Sequence, residues 1–481
     1  MINFTTKDKK VFIILNIIGM FYILPLILSN VYYVDDYRRS LGYYYEWEQA
    51  GRPLANFFMF LLTDSWQGID ISPMPLLLSL LLLSFCGIII NNRVFKNYEV
   101  QKKIIISLPI LINPFFLGNL SFRFDCWTMT IAQFMSAIAA TTFRKKTISD
   151  CIIRISLLTA ILSTYQASLN FYISICFLIM IVDLLNGSKF RESLICFIID
   201  FFLMMVSFVI YKLCIIHFIN FSSYGESHSS FIHMNKFFFK NIFININIFF
   251  HFICQMPRIY FLSIVSLIFI SIIFPYNKGP VSKTKSRMII ITGIVFFAFS
   301  TPGLCLLLEN PVMEYRTLLG FPVLVMFLFY IAINSNVKYL KNLIIFLNLF
   351  SATSTCYAYG NVLYAQNLYR ENFAGHIFNK LLENGYKKSD KIFLIGREPI
   401  SPANVFAIKS NPALRNLIPI QLGNSKWGLF VFAKLGAGLT LLGPAEQELA
   451  KESIIGMKPV YSDFRFSLYK EKQYYIIDIN E

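Results

Sequence analysis

Eleven apolar runs dominate the first 360 residues of this chain, at 11–30, 73–92, 104–120, 127–143, 151–168, 169–185, 194–218, 258–274, 288–308, 317–334 and 342–358. Each is long enough, within a few residues, to cross about 30 Å of hydrocarbon. Backbone polar groups in lipid must be satisfied within the segment, so such runs fold as helices. Charged residues make up 15% of the chain, against roughly 25% in soluble proteins. That difference excludes a disordered chain, a coiled coil and an ordinary soluble enzyme. The expected class is a polytopic α-helical membrane protein with about eleven transmembrane helices. Two apolar stretches fit less well. Leu54–Thr63 is too short to cross and reads as interfacial or re-entrant. Ile242–Gln255 carries Asn245, Asn247 and His251 and reads as a helix lying in the interface.

The net charge of +16 could point to nucleic acid, so its placement decides. Lys7, Lys9 and Lys10 precede the first run, and no convincing small-x-small cleavage site follows it. An uncleaved anchor with a cytoplasmic N-terminus is expected. Threading from there puts 1–10, 93–103, 144–150, 186–192, 277–287 and 335–341 inside, and every one of these segments is basic. Counting Ile242–Gln255 as a span would throw the basic 277–287 loop outside. The surplus is therefore topology. No basic-aromatic stripe supports a nucleic-acid partner; the bilayer is the first partner.

Beyond residue 360 charged residues become frequent and the long apolar runs stop. The expected division is a transmembrane unit, 1–360, with a first outer loop at 31–72, and a small α/β periplasmic domain, 361–481. Within the latter, Asn361–Tyr386 reads as helix, Lys391–Ile395 and Tyr474–Ile479 as strands, and Pro444–Ile455 as a helix ended by Gly456. Gly436-Ala437-Gly438 lacks the strand-turn-helix context of a nucleotide loop. The nine cysteines lie between Cys86 and Cys356 without CxxC spacing, so they read as small apolar residues rather than a disulfide framework or a metal site.

Charge at a membrane boundary is costly, so the few outer ionisable residues carry a functional expectation. The first outer loop holds Asp35, Asp36, Arg38 and Arg39, then Trp47 and Arg52. Paired carboxylates beside arginines offer a base and a bidentate phosphate clamp; a capped exposed turn is the plainer reading. Arg123 and Asp125 share a very short loop, where a local ion pair would also explain them. Tyr165-Gln166 breaks another pair of runs. Glu314 and Arg316 stand at the outer start of the tenth run, where snorkelling is the default. All four clusters face the same side.

The string from Asp35-Asp36 through Arg39-Ser40-Leu41-Gly42, followed by Trp47 and Gly51-Arg52-Pro53-Leu54, resembles the bacterial type-II glucosyltransferase family. These are phage- or island-borne serotype-converting enzymes that glucosylate O-antigen. Asn113-Pro114-Phe115 through Arg123-Phe124-Asp125, Tyr165-Gln166-Ala167-Ser168-Leu169-Asn170 and Arg316-Thr317-Leu318 are similar to further family strings in the same order. The resemblance covers residues 35–318. It implies a GT-C-like enzyme in the bacterial inner membrane with its site on the outer leaflet. The implied donor is undecaprenyl-phosphate glucose, the implied acceptor a lipid-linked O-antigen sugar. The implied catalytic group is an acidic residue of the first loop; of the adjacent pair, Asp36 is favoured over Asp35. Arg38, Arg39, Arg52, Arg123 and Arg316 are the candidate phosphate ligands, and Trp47 a candidate sugar platform or interfacial anchor. No cofactor is expected; a divalent metal bridging carboxylate and phosphate is compatible but not required. A flippase of lipid-linked sugar, with Arg154 as its main intramembrane charge, and an O-antigen polymerase are the competing readings.

Overall fold

The computed structural model describes residues 4–480 apart from 96–97, 145–146, 277–278, 338, 424–425, 440–445 and 447–450. Lys96, Lys145, Lys146, Lys278 and Lys338 of the inner loops, and half of the expected Pro444–Ile455 helix, lie outside the described residues.

Every one of the eleven apolar runs coincides with a helix. In chain order the principal helices are α1 (Thr6–Ser29), α2 (Pro53–Thr63), α3 (Met74–Val94), α4 (Val100–Leu111) and α5 (Cys126–Thr141). Next come α6 (Ile148–Leu162), α7 (Ser168–Leu185), α8 (Phe190–Cys214), α9 (Phe238–Cys254) and α10 (Arg258–Ile273). The set closes with α11 (Lys283–Ser300), α12 (Phe321–Asn334) and α13 (Tyr339–Glu383).

Among the described residues six helical segments are long and apolar enough to cross a membrane, or up to seven if the bent pair α9–α10 counts as one span. The other runs fall short for visible reasons. The helices α5, α6 and α12 have 16, 15 and 14 residues, about 21–24 Å at 1.5 Å per residue. Helix α11 opens with Lys283, Lys285 and Arg287 inside its 18 residues. Several helices present large apolar side chains outward, among them Ile17, Phe21 and Leu28 of α1, Phe202 of α8 and Leu262 of α10. Exposed apolar faces of that extent need a nonaqueous neighbour, so this is a membrane protein.

Helix α12 is apolar all round and almost wholly buried, so it forms the middle of the bundle. Helices α1 and α13 run against each other. Pro25 leaves the carbonyl of Phe21 without its helical donor, and the Tyr357 hydroxyl of α13 supplies one at 3.0 Å. The two backbones approach at Gly360, where a Cβ would stand 2.6 Å from Pro25 Cβ. Helix α9 turns by 110° from α10. It buries Asn245 on the carbonyls of Leu306 and Leu308 and turns Phe239, Phe243 and Phe250 outward.

Helix α13 is 45 residues long and carries the chain without a break past residue 360. Beyond it lies a four-stranded sheet of β1 (Lys391–Ile395), β2 (Tyr461–Ser462), β3 (Phe466–Glu471) and β4 (Tyr474–Ile479), in the order β1-β4-β3-β2. Strand β1 pairs parallel to β4, and the others pair antiparallel. The two expected strands are β1 and β4. A further helix, α14 (Lys426–Lys434), packs this region against the first loop.

Candidate active site

The site begins where α1 ends. Asn30 and Val34 both take left-handed backbone conformations, with φ of 47° and 49°. Asparagine tolerates this; a β-branched valine does not, at a cost of about 1–3 kcal/mol. The strained turn sets Asp35 and Asp36 at the head of a single helical turn, Asp36–Arg39. Asp36 is wholly buried. One of its oxygens accepts the backbone N–H of Tyr33 at 3.1 Å and that of Arg123 at 2.9 Å. One carboxylate thus closes its own turn and ties the first loop to the 119–125 loop.

The other oxygen, Oδ1, has no hydrogen bond, and Arg39 Nη1, 3.8 Å away, has none either. Arg39 pairs instead with Asp35 at 2.6 Å and lies 4.4 Å from the ring of Trp47. Burial, reinforced by the charge of Asp35, pushes the Asp36 carboxyl up to about 8, with Arg39 opposing incompletely. Asp125 heads α5, is also buried, and accepts from the Thr128 hydroxyl at 3.0 Å. Burial raises its pKa too, against the pull of Arg39 and Arg52.

A second arm adjoins this knot. Arg52 donates to Gln166 at 3.0 Å and lies 4.9 Å from the Tyr165 ring. Gln166 reaches back to the Ala50 carbonyl at 3.1 Å. The Tyr165 hydroxyl donates to the Arg316 carbonyl at 3.0 Å and accepts from Asn119 at 3.2 Å. Arg316 pairs with Glu314 at 2.7 Å and sits 5.5 Å from the Phe122 ring, which packs edge-on against Tyr33. The four clusters picked out along the sequence therefore form one network at one end of the bundle.

Two candidates take roles other than the direct ones. Arg38 is held by Glu46 at 2.5 Å and stands at the margin. Trp47 is buried, stacked on Tyr45 at 4.8 Å and capped by Arg39, so its ring supports a guanidinium. Arg154, the intramembrane charge of the flippase reading, is paired with Asp200, which it shares with Arg144.

Four further groups, none of them among the sequence candidates, complete the knot. The Arg123 side chain pairs with Asp70 at 2.9 Å, donates to Asn30 at 2.7 Å and lies 4.7 Å from the Tyr32 ring. Tyr32 in turn donates to Asp70 at 3.1 Å. Asp70 was discoverable as an isolated acid in the first loop. Lys434 of α14 stands 4.2 Å from the same Tyr32 ring, and nothing in its local sequence marks it. Among the described residues no group of three or more His, Cys, Asp or Glu side chains is placed to hold a metal ion.

No solved structure matches this chain. A protein of Salmonella phage P22, described only as an uncharacterized 55.3 kDa protein in the gtrB 5' region, is 27% identical over 455 residues, covering 88% of this chain and 89% of its own length. The family model described as glucosyl transferase GtrII matches residues 24–333, well over half of the chain and inclusive of every cluster described above. The chain accordingly belongs to the GtrII glucosyltransferase family.

Proposed function

We propose that this protein moves a glucosyl residue from undecaprenyl-phosphate glucose to lipid-linked O-antigen on the periplasmic face of the inner membrane, as a GT-C-like enzyme of about eleven spans. The acceptor hydroxyl attacks the anomeric carbon. Asp36 takes its proton as general base, with Asp35 as the neighbour that tunes it. The bond from the anomeric carbon to the phosphate oxygen breaks, and undecaprenyl phosphate leaves as an anion without needing an acid. A single displacement inverts the anomeric centre. Guanidinium groups at the site balance the charge that grows on the leaving phosphate.

The observation that carries this reading is Asp36 itself, buried, strongly perturbed and with one oxygen free of hydrogen bonds beside Arg39. Perturbed carboxylates of this kind concentrate at catalytic sites. The reading also accounts for the short apolar helix α2, which starts right after Arg52 and would lie in the interface where a lipid-linked donor arrives. The orientation follows the basic inner segments, with the N-terminus cytoplasmic and the region 361–481 periplasmic.

The test is mass spectrometry of the surface polysaccharide from cells with the intact gene, without it, and with Asp36→Asn. The intact gene adds a hexose, and the variant does not. An unchanged polysaccharide in every strain would overturn the assignment. Cysteine labelling that places residue 40 in the cytoplasm would overturn the orientation.

A further inference from the structure

Beside the site lies a small cleft of about 30 Å³ that opens to solvent. Its walls come from the end of α1, the start of α3, the 120–123 segment and α13. They are apolar at Leu26, Leu76, Leu120 and Leu363, and the only charged side chain on them is Arg123. The enclosed space takes about one or two water molecules, so a lipid chain would lie along the apolar rim rather than inside it. The backbone N–H of Arg123 holds Asp36 at 2.9 Å. The cleft therefore opens one residue away from the proposed base.

Arg123 does not stand alone there. Its guanidinium and the Lys434 ammonium lie against one tyrosine ring, 4.7 and 4.2 Å from the centroid of Tyr32. Lys434 comes from the C-terminal region, on a helix seated against the turn that carries Asp36; Phe430 of the same helix packs edge-on against Tyr43. Burial, with the repulsion of Arg123, lowers the Lys434 pKa, and Glu371 and Asp70 oppose that. The carboxylates facing the two cations are Asp70, 2.9 Å from Arg123, and Glu371, 3.8 Å from Lys434. Both reach solvent, with 24% and 45% of their side chains exposed, so each can yield its cation to an incoming anion at little cost. A planar guanidinium grips phosphate oxygens in a fixed geometry, while an ammonium on a flexible stem acts as a point charge that holds and releases.

We propose that Lys434 of the C-terminal region and Arg123 of the membrane unit together bind the phosphate of a polyprenyl-phosphate lipid, whose first carbons lie along the apolar rim of the adjoining cleft. This rests on the transferase reading and adds to it the seat of the donor's phosphate and a C-terminal residue needed to hold it. Asp70 acts as the competitor that the phosphate displaces.

The experiment measures binding of undecaprenyl phosphate, lacking any sugar, to the purified full-length protein in nanodiscs of a zwitterionic lipid. Undecaprenol, inorganic phosphate and phosphatidylglycerol serve as comparison ligands. Lys434→Ala and Arg123→Lys are each expected to weaken undecaprenyl phosphate at least tenfold and to leave the weak binding of undecaprenol unchanged. Lys434→Arg keeps most of the affinity, and Asp70→Asn tightens it. Asp36→Asn binds the lipid phosphate as the wild type does while losing transfer. Lys434 is a partly exposed residue, so Lys434→Ala is checked for folding by its thermal unfolding midpoint. Wild-type affinity in folded Lys434→Ala overturns the inference and leaves the transferase reading standing. Equal competition by phosphatidylglycerol or by inorganic phosphate also overturns it. No binding of undecaprenyl phosphate to the wild type would instead remove the donor from the proposed function.

Discussion

Asp36 shows how a single side chain can be set for base chemistry by its surroundings. Its carboxyl is pushed up to about 8 chiefly by burial. A base must be ionised, so kcat/KM is expected to rise with pH and level off above about 8. A limb near 4, the ordinary carboxylate value, would remove Asp36 from that role. Stability runs the other way. A carboxyl whose folded pKa is raised favours folding while protonated, so its contribution is fully present below about 4. It is lost as pH rises toward 8. Thermal unfolding of Asp36→Asn should therefore gain on the wild type between pH 5 and 8. The paired acids and the arginines were legible in the sequence because charge is rare at a membrane boundary. Which atoms meet was not legible. The bond between the Asp36 carboxylate and the Arg123 backbone joins positions 87 residues apart, and no local pattern encodes it. Residue type left Trp47 open between a sugar platform and an interfacial anchor, and its ring packs on Arg39 and Tyr45.

Helices were the most legible elements, since each apolar run folds as one. Their ends and joins were less so. The drop in hydropathy at residue 360 marks a change of surroundings, and it suggests a break that α13 does not have. A helix can leave the bilayer without stopping, because its own backbone hydrogen bonds are indifferent to the solvent. Strand β3 escaped notice because Phe466 and Leu468 supply only two inward apolar positions before Lys470 and Glu471. Packing between elements yields a separate prediction. At Gly360 an added side chain would press on Pro25 Cβ at 2.6 Å and on the Pro25 carbonyl at 2.8 Å. Gly360→Val is expected to lower stability by about 1–3 kcal/mol, read as a lower unfolding midpoint in detergent. An unchanged midpoint would mean that α1 and α13 do not meet there.

Helix α13 runs from the bundle into the C-terminal region, and Arg370 on it is held by Glu398 at 2.9 Å with both side chains buried. Arg370 also donates to the Pro419 carbonyl at 2.6 Å. The Tyr37 hydroxyl, next to Asp36, binds Asn367 on the same stretch of helix at 2.8 Å. Removing one partner of a buried pair strands the other, at a cost of about 3–5 kcal/mol. Arg370→Ala should therefore loosen the C-terminal region, made visible as faster limited proteolysis after residue 383, and reduce transfer although no membrane residue has changed. Protection equal to the wild type would show that this pair does not hold the region in place. The sequence marks the region as a separate composition; its seat on the first loop depends on α14 and on contacts hundreds of residues apart.

The central claim is that dispersed acids and arginines converge on a sugar-transfer site with Asp36 as its base. The most direct test is single-turnover transfer by purified protein from undecaprenyl-phosphate glucose to lipid-linked O-antigen, comparing wild type, Asp35→Asn and Asp36→Asn. Asp36→Asn is expected to transfer about 10²-fold or more slowly with donor binding intact, and Asp35→Asn to be slowed less. Full-rate transfer by Asp36→Asn would contradict it.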